Sequence, residues 1–456
     1  MNKSFKTHYT KRLLKVIPGG AHTYSKGADQ FPLNAPSILK SGNGSYVTDI
    51  NNKKLLDYGM GLRSVNIGYS EKKINDAAYK QILNGNNLSR PSTIELKASE
   101  EFVKLIKHAD MVKFTKHGST AVTAAVKLAR AYTKKKIILR CLQHPFFSFD
   151  DWFIGSTVIN KGIPKEIIKL TKFFNYNNIF SLKKKIQRYK NDIACVVMEA
   201  ATTECPNIND SKDCCSQIKC IRKFKYQNHY LKQVENLCKE NKIVFILDEM
   251  ITGFRWNIGG AQEFYNIKPD LSTFGKAMAN GFSIAAVCGK RKIMELGSIE
   301  KKNQERVFLL STTHGAEMSS LGAFIETLKF IRKKKVIEKN WNYGGSLIQK
   351  LNELSSSMGM IDYFSLSGVA CSPYYTCRDK KGNLSLSFRT LFMQEMIKSG
   401  VLIPWVSICY RHSKNDLKKT INAAKKSLTI YKKALSEGID KYLKGNSIKA
   451  VFRRFN

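Results

Sequence analysis

No stretch of this chain is long and apolar enough to span a bilayer, and its start, MNKSFKTHYTKRLLKV, has no apolar signal core. The sequence therefore predicts neither a membrane nor a secreted protein, and a cytoplasmic location. Acidic residues are scarce, 36 against 76 Lys+Arg, a net charge of +40. Such a surplus raises the possibility of nucleic-acid or membrane-surface binding. The charge is spread along the chain, however, in short runs such as 134–136, 183–185 and 332–335, with no interleaved aromatic stripe. Solvated lysines on helix faces are expected, with at most weak, salt-sensitive binding to polyanions. Specific nucleic-acid binding and membrane partners are not.

Paired cysteines at metal-knuckle spacing are also missing. Cys141, Cys195, Cys238, Cys288, Cys371, Cys377 and Cys409 mostly lie in apolar segments and read as buried free thiols in a reducing compartment. Cys205, Cys214, Cys215 and Cys220 cluster, but C-x8-C-C-x4-C lacks a C-x2-C pair. A surface insertion is expected there, with a zinc or iron–sulfur site the minority alternative; no metal ligand is assigned.

What is present is ordinary globular composition over 456 residues, enough for a large core and more than one structural unit. Two stretches stand out. IVFILDEMITGFR (243–255) is a short apolar run ending in Asp248 and Glu249, the pattern of a buried parallel strand that delivers an acid at its C-terminal edge. STFGKAMANGFS (272–283) sets Lys276 between small residues. An Asp leaving a strand and a Lys on a nearby loop are the two groups pyridoxal phosphate needs. The competing view is that strand-end acids and lysines near glycine are both common.

The complete string LDEMITGFR followed by FGKAMANGFSIAA resembles the class III pyridoxal-phosphate-dependent aminotransferases, especially the glutamate-1-semialdehyde aminomutase branch. The resemblance implies that Lys276 carries the cofactor as a Schiff base and that Asp248 pairs with its ring nitrogen. It implies an α/β fold of type I: a large domain with a mixed, mostly parallel sheet, and a smaller α+β domain formed by both termini. The expected boundaries are 1–70 for the first part of the small domain and 71–330 for the large domain with its 205–228 insertion. The rest of the small domain follows at 331–440, then a basic tail at 441–456.

Other motifs fall into place around that pair. MVKFTKHGSTAVTAAVKLARAY (111–132) reads as strand, turn and Ala-rich helix. The amides of Gly118, Ser119 and Thr120 at such a helix start suit a phosphate, although a plain Ser/Thr cap has the same appearance. The family more often has Ser-Gly-Thr where this chain has His117-Gly118-Ser119. After strand IILRC, the resemblance implies an aromatic ring stacked on the cofactor; Phe146 is preferred over Phe147, with core packing the alternative for either. DIACVVME (192–199) ends in Glu199, which matches an acid that the family keeps near the cofactor. Thr313, with Thr312 the alternative, matches a residue that reaches the phosphate of the neighbouring subunit, which implies a homodimer with shared sites. His22 and Tyr24 in the Gly-rich loop after Pro18, and Arg63 in MGLRSVNIGY, are candidate substrate contacts. For Arg63 a structural ion pair competes equally. A single long helix is expected over 321–355.

The activity implied is transfer of an amino group between an amino donor and a carbonyl acceptor. The intramolecular aminomutase is the alternative; that branch normally has Ser-Trp where this chain has Gly61-Leu62. A non-enzymatic, basic nucleic-acid-associated protein is the rival from another class.

Overall fold

The computed structural model describes residues 8–202, 204–208 and 228–455. They divide into two units: Lys72–Ile337, and a second built from Met1–Glu71 together with Glu338–Asn456. Cys214, Cys215 and Cys220, and most of the expected insertion, lie outside the described residues. Among the described residues eight cysteines are buried and free, and no cluster of His, Cys, Asp and Glu could hold a metal.

The unit Lys72–Ile337 is organised by seven strands, numbered here in chain order: β1 (Met111–Thr115), β2 (Ile137–Cys141), β3 (Thr171–Phe174), β4 (Ile193–Glu199), β5 (Val244–Glu249), β6 (Leu271–Phe274) and β7 (Ala285–Gly289). They form one sheet in the order β1-β7-β6-β5-β4-β2-β3. β7 alone runs against the direction of the other six, antiparallel to both β1 and β6. Every residue of β2, β4, β5, β6 and β7 is buried. A sheet covered on both faces needs apolar side chains on both, which is why these strands read as unbroken apolar runs instead of alternating.

The helix Gly118–Thr133 packs across β4 to β7. Its buried residues are mostly Ala and Val, small enough for the helix axis to approach the sheet closely. The helix Thr93–Leu105 starts at a reciprocal cap: Ser92 Oγ accepts from Glu95 N, and the Glu95 carboxylate accepts from Ser92 N. The helix expected over 321–355 is in fact two, Met318–Lys334 and Val336–Ser357. Lys335 breaks it in the left-handed conformation, φ 48°. The preceding Arg332, Lys333 and Lys334 place cations at a helix C-terminus, where the helix dipole favours them.

In the other unit, Leu39–Asn43, Tyr46–Asp49 and Lys54–Asp57 form the expected antiparallel meander. Val401–Leu402 adds a parallel fourth strand beside Lys54–Asp57 and so joins the two ends of the chain. Asn52, which stands where the family pattern has glycine, adopts φ 63°, a conformation that Asn tolerates better than most residues. Residues 441–455 do not hang free. Lys444 N donates to Gln394 Oε1 (2.8 Å), Ile448 N to Thr390 Oγ1 (2.9 Å), and Arg453 pairs with Asp29 at 2.6 Å.

Candidate functional site

The C-terminal ends of the parallel strands converge on one sheet edge, where ligands bind in open α/β sheets. Register puts Glu199 of β4 beside Asp248 of β5, and Asp248 beside Thr273 of β6. Asp248 is 2% exposed. Its Oδ1 accepts from Met250 N (2.8 Å) and from Thr273 Oγ1 (3.3 Å). Both bonds converge on one oxygen. Burial pushes the carboxyl up to about 6, against the Met250 amide, the Lys276 charge and the Thr273 hydroxyl, which pull it down. A buried acid held this loosely is set to take a cationic partner.

Glu249, the next residue, points to the other face of the sheet. Its carboxylate is fully buried and fully engaged. Oε1 accepts from Gln262 N (2.7 Å), Oε2 from Ala261 N (2.9 Å), and the Thr252 hydroxyl also donates to it. Burial raises it to about 7. Gly260 makes this clamp possible: its φ is 87°, and a Cβ there would sit 2.7 Å from the Glu249 carboxylate.

Lys276 follows β6 after one residue and opens the short turn Lys276–Ala279. Its φ of 43° is left-handed, at a cost of about 1–2 kcal/mol for a residue with a Cβ. Such strain persists where the surroundings fix it, and gathers at working sites. Met250 is one of the fixing groups, and its place is not legible in the sequence. A Cβ on Gly118 or on Gly275 would each lie 2.7 Å from Met250 Sδ. The thioether thus seats against the helix start and against the residue before Lys276, while its amide holds Asp248. Thr273 is likewise a missed residue; the STFGK string was its only trace.

His117 is the N-cap of the helix Gly118–Thr133 and makes no side-chain cap bond. It meets Thr120 Oγ1 instead, at 2.9 Å. The first amides of the helix are therefore uncapped by that side chain, with the positive end of the dipole behind them. Ser119 Oγ accepts from Phe149 N (3.2 Å), which leaves its own proton to donate. That bond also pins the aromatic loop to the helix start. In that loop Phe147 is buried between His144 and Phe153. Phe146 remains 46% exposed, with an edge contact to Phe153 at 5.6 Å.

Glu199 is 4% exposed and receives the Thr202 hydroxyl. Its backbone amide donates to His144 Nδ1 at 3.0 Å. An accepting Nδ1 leaves the ring proton on Nε2. Burial, then Arg140, push His144 down to about 3, so the ring stays neutral. Further along, Thr312 and Thr313 are exposed. Glu317 nearby is anchored by Lys116 and by Asn86 Nδ2 (2.8 Å).

These groups, Gly118, Ser119, Thr120, Glu199, Asp248 and Lys276, share one unit. His22, Tyr24 and Arg63 belong to the other. There His22 and Tyr24 are exposed and Arg63 is half-buried. Arg63 ends four successive residues, Met60 to Arg63, with φ between 42° and 68°. Asp57 braces the start of this left-handed turn, accepting from Gly59 N (2.7 Å), Met60 N (2.9 Å) and Tyr69 Oη (2.7 Å).

The family model described as aminotransferase class-III matches residues 26–406. The glutamate-1-semialdehyde 2,1-aminomutase of Nitrosopumilus maritimus (strain SCM1) is 30% identical over 431 residues, covering 90% of this chain and 95% of that protein. The 3-aminobutyryl-CoA aminotransferase of Cloacimonas acidaminovorans (strain Evry) is 28% identical, covering 92% and 96%. Among solved structures, the FumI protein of Sphingopyxis sp. MTA144 superposes with a TM-score of 0.80 at 24% identity, covering 94% of this chain and 97% of that one. An omega-transaminase from Sphaerobacter thermophilus gives 0.79 at 18%, covering 93% and 97%. At these identities the structures speak for the fold.

Proposed function

The chain belongs to the class-III aminotransferases, pyridoxal-phosphate-dependent enzymes with the type I fold, and from that premise we propose that Lys276 and Asp248 are its catalytic pair. The observation that carries this reading is a buried carboxylate at a strand end, held through one oxygen and acted on by the charge of Lys276.

The residues fit the cofactor. Asp248 Oδ2 remains for a ring N–H, and the uncapped start of the helix Gly118–Thr133 suits a phosphate dianion. When bound, pyridoxal phosphate supplies a carbonyl that captures amines and a protonated ring that withdraws electrons from the captured carbon. Asp248 keeps the ring nitrogen protonated, because its negative charge is costly when buried and is relieved by a cation. The Lys276 amine holds the cofactor between turnovers. When free, the Lys276 amine would be the base that moves the proton at the substrate carbon. Gly118, Ser119 and Thr120 hold the phosphate. Phe146 would cover a face of the bound ring, and Glu199 would lie near it. Glu249 and Met250 position Asp248 and Lys276 without touching the reacting atoms.

The reading extends to substrate and assembly. His22, Tyr24 and Arg63 contact the substrate, and Arg63 offers a guanidinium to a carboxylate or phosphate. Thr313 serves the phosphate of a second copy, which makes the enzyme a homodimer with shared sites. A cytoplasmic location fits the free thiols, and no described helix is long and apolar enough to cross a membrane.

Amino donors should be mixed one at a time with the cofactor-loaded protein. Release of a keto acid, with the cofactor left in its amine form, supports intermolecular transfer. The intramolecular alternative is favoured by relatives named as aminomutases. It predicts instead that an amino-aldehyde is rearranged without any second product. Inertness toward every amine would contradict both.

A further inference from the structure

Away from the strand ends, the helix Lys414–Glu437 carries the sequence KNDLKKTINAAKKSLTIYKKALSE. Lysine pairs recur every seven residues, at 418–419, 425–426 and 432–433. Seven residues are about two helical turns, roughly 10.5 Å, so the pairs fall on one face. The opposite face is committed to the core through Ala423, Ala424, Leu428, Tyr431 and Ala434. This helix therefore has no apolar face to offer a membrane.

Several surface helices pair a cation with a carboxylate. Lys72 pairs with Asp76, Lys232 with Glu235, Arg291 with Glu295, Lys329 with Glu326, and Lys398 with Glu395. Among the described residues, none of the six paired lysines of this helix has a carboxylate partner. An anion seated among them would be attracted by several ammonium groups at once.

The same face borders a shallow, open groove of about 410 Å³ lined by Ser399, Asn415, Lys418, Lys419, Asn422, Ala423 and Lys426. No carboxylate lines it. Glu395, one turn before Ser399, is already held by Lys398 at 2.5 Å. The cations stand with neutral hydrogen-bonding groups: two amides and a hydroxyl. Lys419 is oriented by the ring of Tyr46, 5.0 Å from its Nζ. Three ammonium groups along one groove match a multiply charged anion, since a phosphate monoester carries about −1.5 to −2 at neutral pH. The asparagines and Ser399 add donors and acceptors for a polar group attached to it.

We propose that this groove is a second ligand site, separate from Lys276, for a phosphorylated small molecule carrying two or more negative charges. Lys418, Lys419 and Lys426 hold the phosphate oxygens; Asn415, Asn422 and Ser399 hold the group attached to them. Such a site would let a phosphorylated metabolite act on the enzyme as an effector.

The test is calorimetric titration of pyrophosphate, and separately of a nucleoside diphosphate, into full-length protein loaded with pyridoxal phosphate and freed of excess. Loading keeps the Gly118 helix start filled. One site per chain is expected, weakened tenfold or more in Lys418→Gln/Lys426→Gln, with amino-transfer rate unchanged without added anion. Lys183→Gln/Lys185→Gln, on a different helix, should bind as the wild type does. Tighter binding of the nucleotide than of pyrophosphate would assign a role to the asparagines; equal binding would make phosphate alone the ligand. Equal loss in both double variants, several weak sites erased by salt, or no binding at millimolar pyrophosphate would overturn the proposal. So would a short DNA duplex that outcompetes both anions, since the face would then be a polyanion surface.

Discussion

Two carboxylates, adjacent in sequence and equally buried, sit on opposite faces of the same strand. On one face Asp248 spends both of its hydrogen bonds on a single oxygen; on the other, Glu249 accepts from two backbone amides and a hydroxyl. Burial raises both above the usual carboxylate range. The difference lies in what each acid is for. Glu249 is satisfied by the fold and closes the 250–262 loop. Asp248 is left short of partners, and the fold bears that cost where a cationic ligand group can meet it. A buried charge without a full set of partners points to function more strongly than a perturbed pKa does, because Glu249 shares the second without the first.

Substitutions sharpen this contrast. The largest effect belongs to Lys276→Ala, expected to lower the amino-transfer rate by about 10³-fold or more, read as keto-acid release. Asp248→Asn should cost about 10²–10³-fold in rate. It keeps an acceptor oxygen for Met250 and Thr273, so the cofactor-free protein should be more stable than wild type near pH 7, by on the order of 2–3 kcal/mol. The sign follows from the raised carboxyl. Below 3.8 the acid is protonated both folded and unfolded, and burial costs nothing. As pH rises toward about 6, the unfolded chain ionises first and stability is lost. The variant's advantage in urea unfolding should therefore grow from pH 4 to pH 7 and then level off. An advantage independent of pH would break the account of Asp248.

Glu249→Ala should do the reverse, losing about 2–4 kcal/mol, because the amides of Ala261 and Gln262 are left buried without an acceptor. At temperatures where it remains folded, it should retain far more activity than Asp248→Asn. Similar rates for the two variants would erase the distinction. Gly260→Ala is the smallest change, about 1–2 kcal/mol from the left-handed φ, plus whatever shift the Glu249 carboxylate must make. Its melting temperature should fall without any change in cofactor binding.

Much of this was legible in the chain. The apolar run into Asp248 announced a buried strand, and the small residues around Lys276 announced a close approach. The HGST turn before an Ala-rich stretch announced a helix start. Asn52 in a glycine position kept the turn because Asn tolerates positive φ. Other features were not local. That Asp248 and Glu249 face opposite ways follows from the period of a strand, but only the fold shows that Ala261 and Gln262 return to meet Glu249. Met250 looks like any core methionine until two glycines from distant segments are found against its sulfur. The break at Lys335 was hidden because both flanking segments have helical periodicity, and a lysine carries no mark of left-handed backbone. The 441–455 segment looked like a tail because it is basic; its anchors, Thr390, Gln394 and Asp29, are far away in sequence.

The most direct test of the central claim is an absorbance spectrum of the purified protein after addition and removal of excess pyridoxal phosphate, with Lys276→Ala alongside. The account predicts a near-visible band of lysine-bound cofactor in the wild type, bleached by an amino donor and absent from Lys276→Ala. A wild-type spectrum without that band, or an undiminished band in Lys276→Ala, would contradict it.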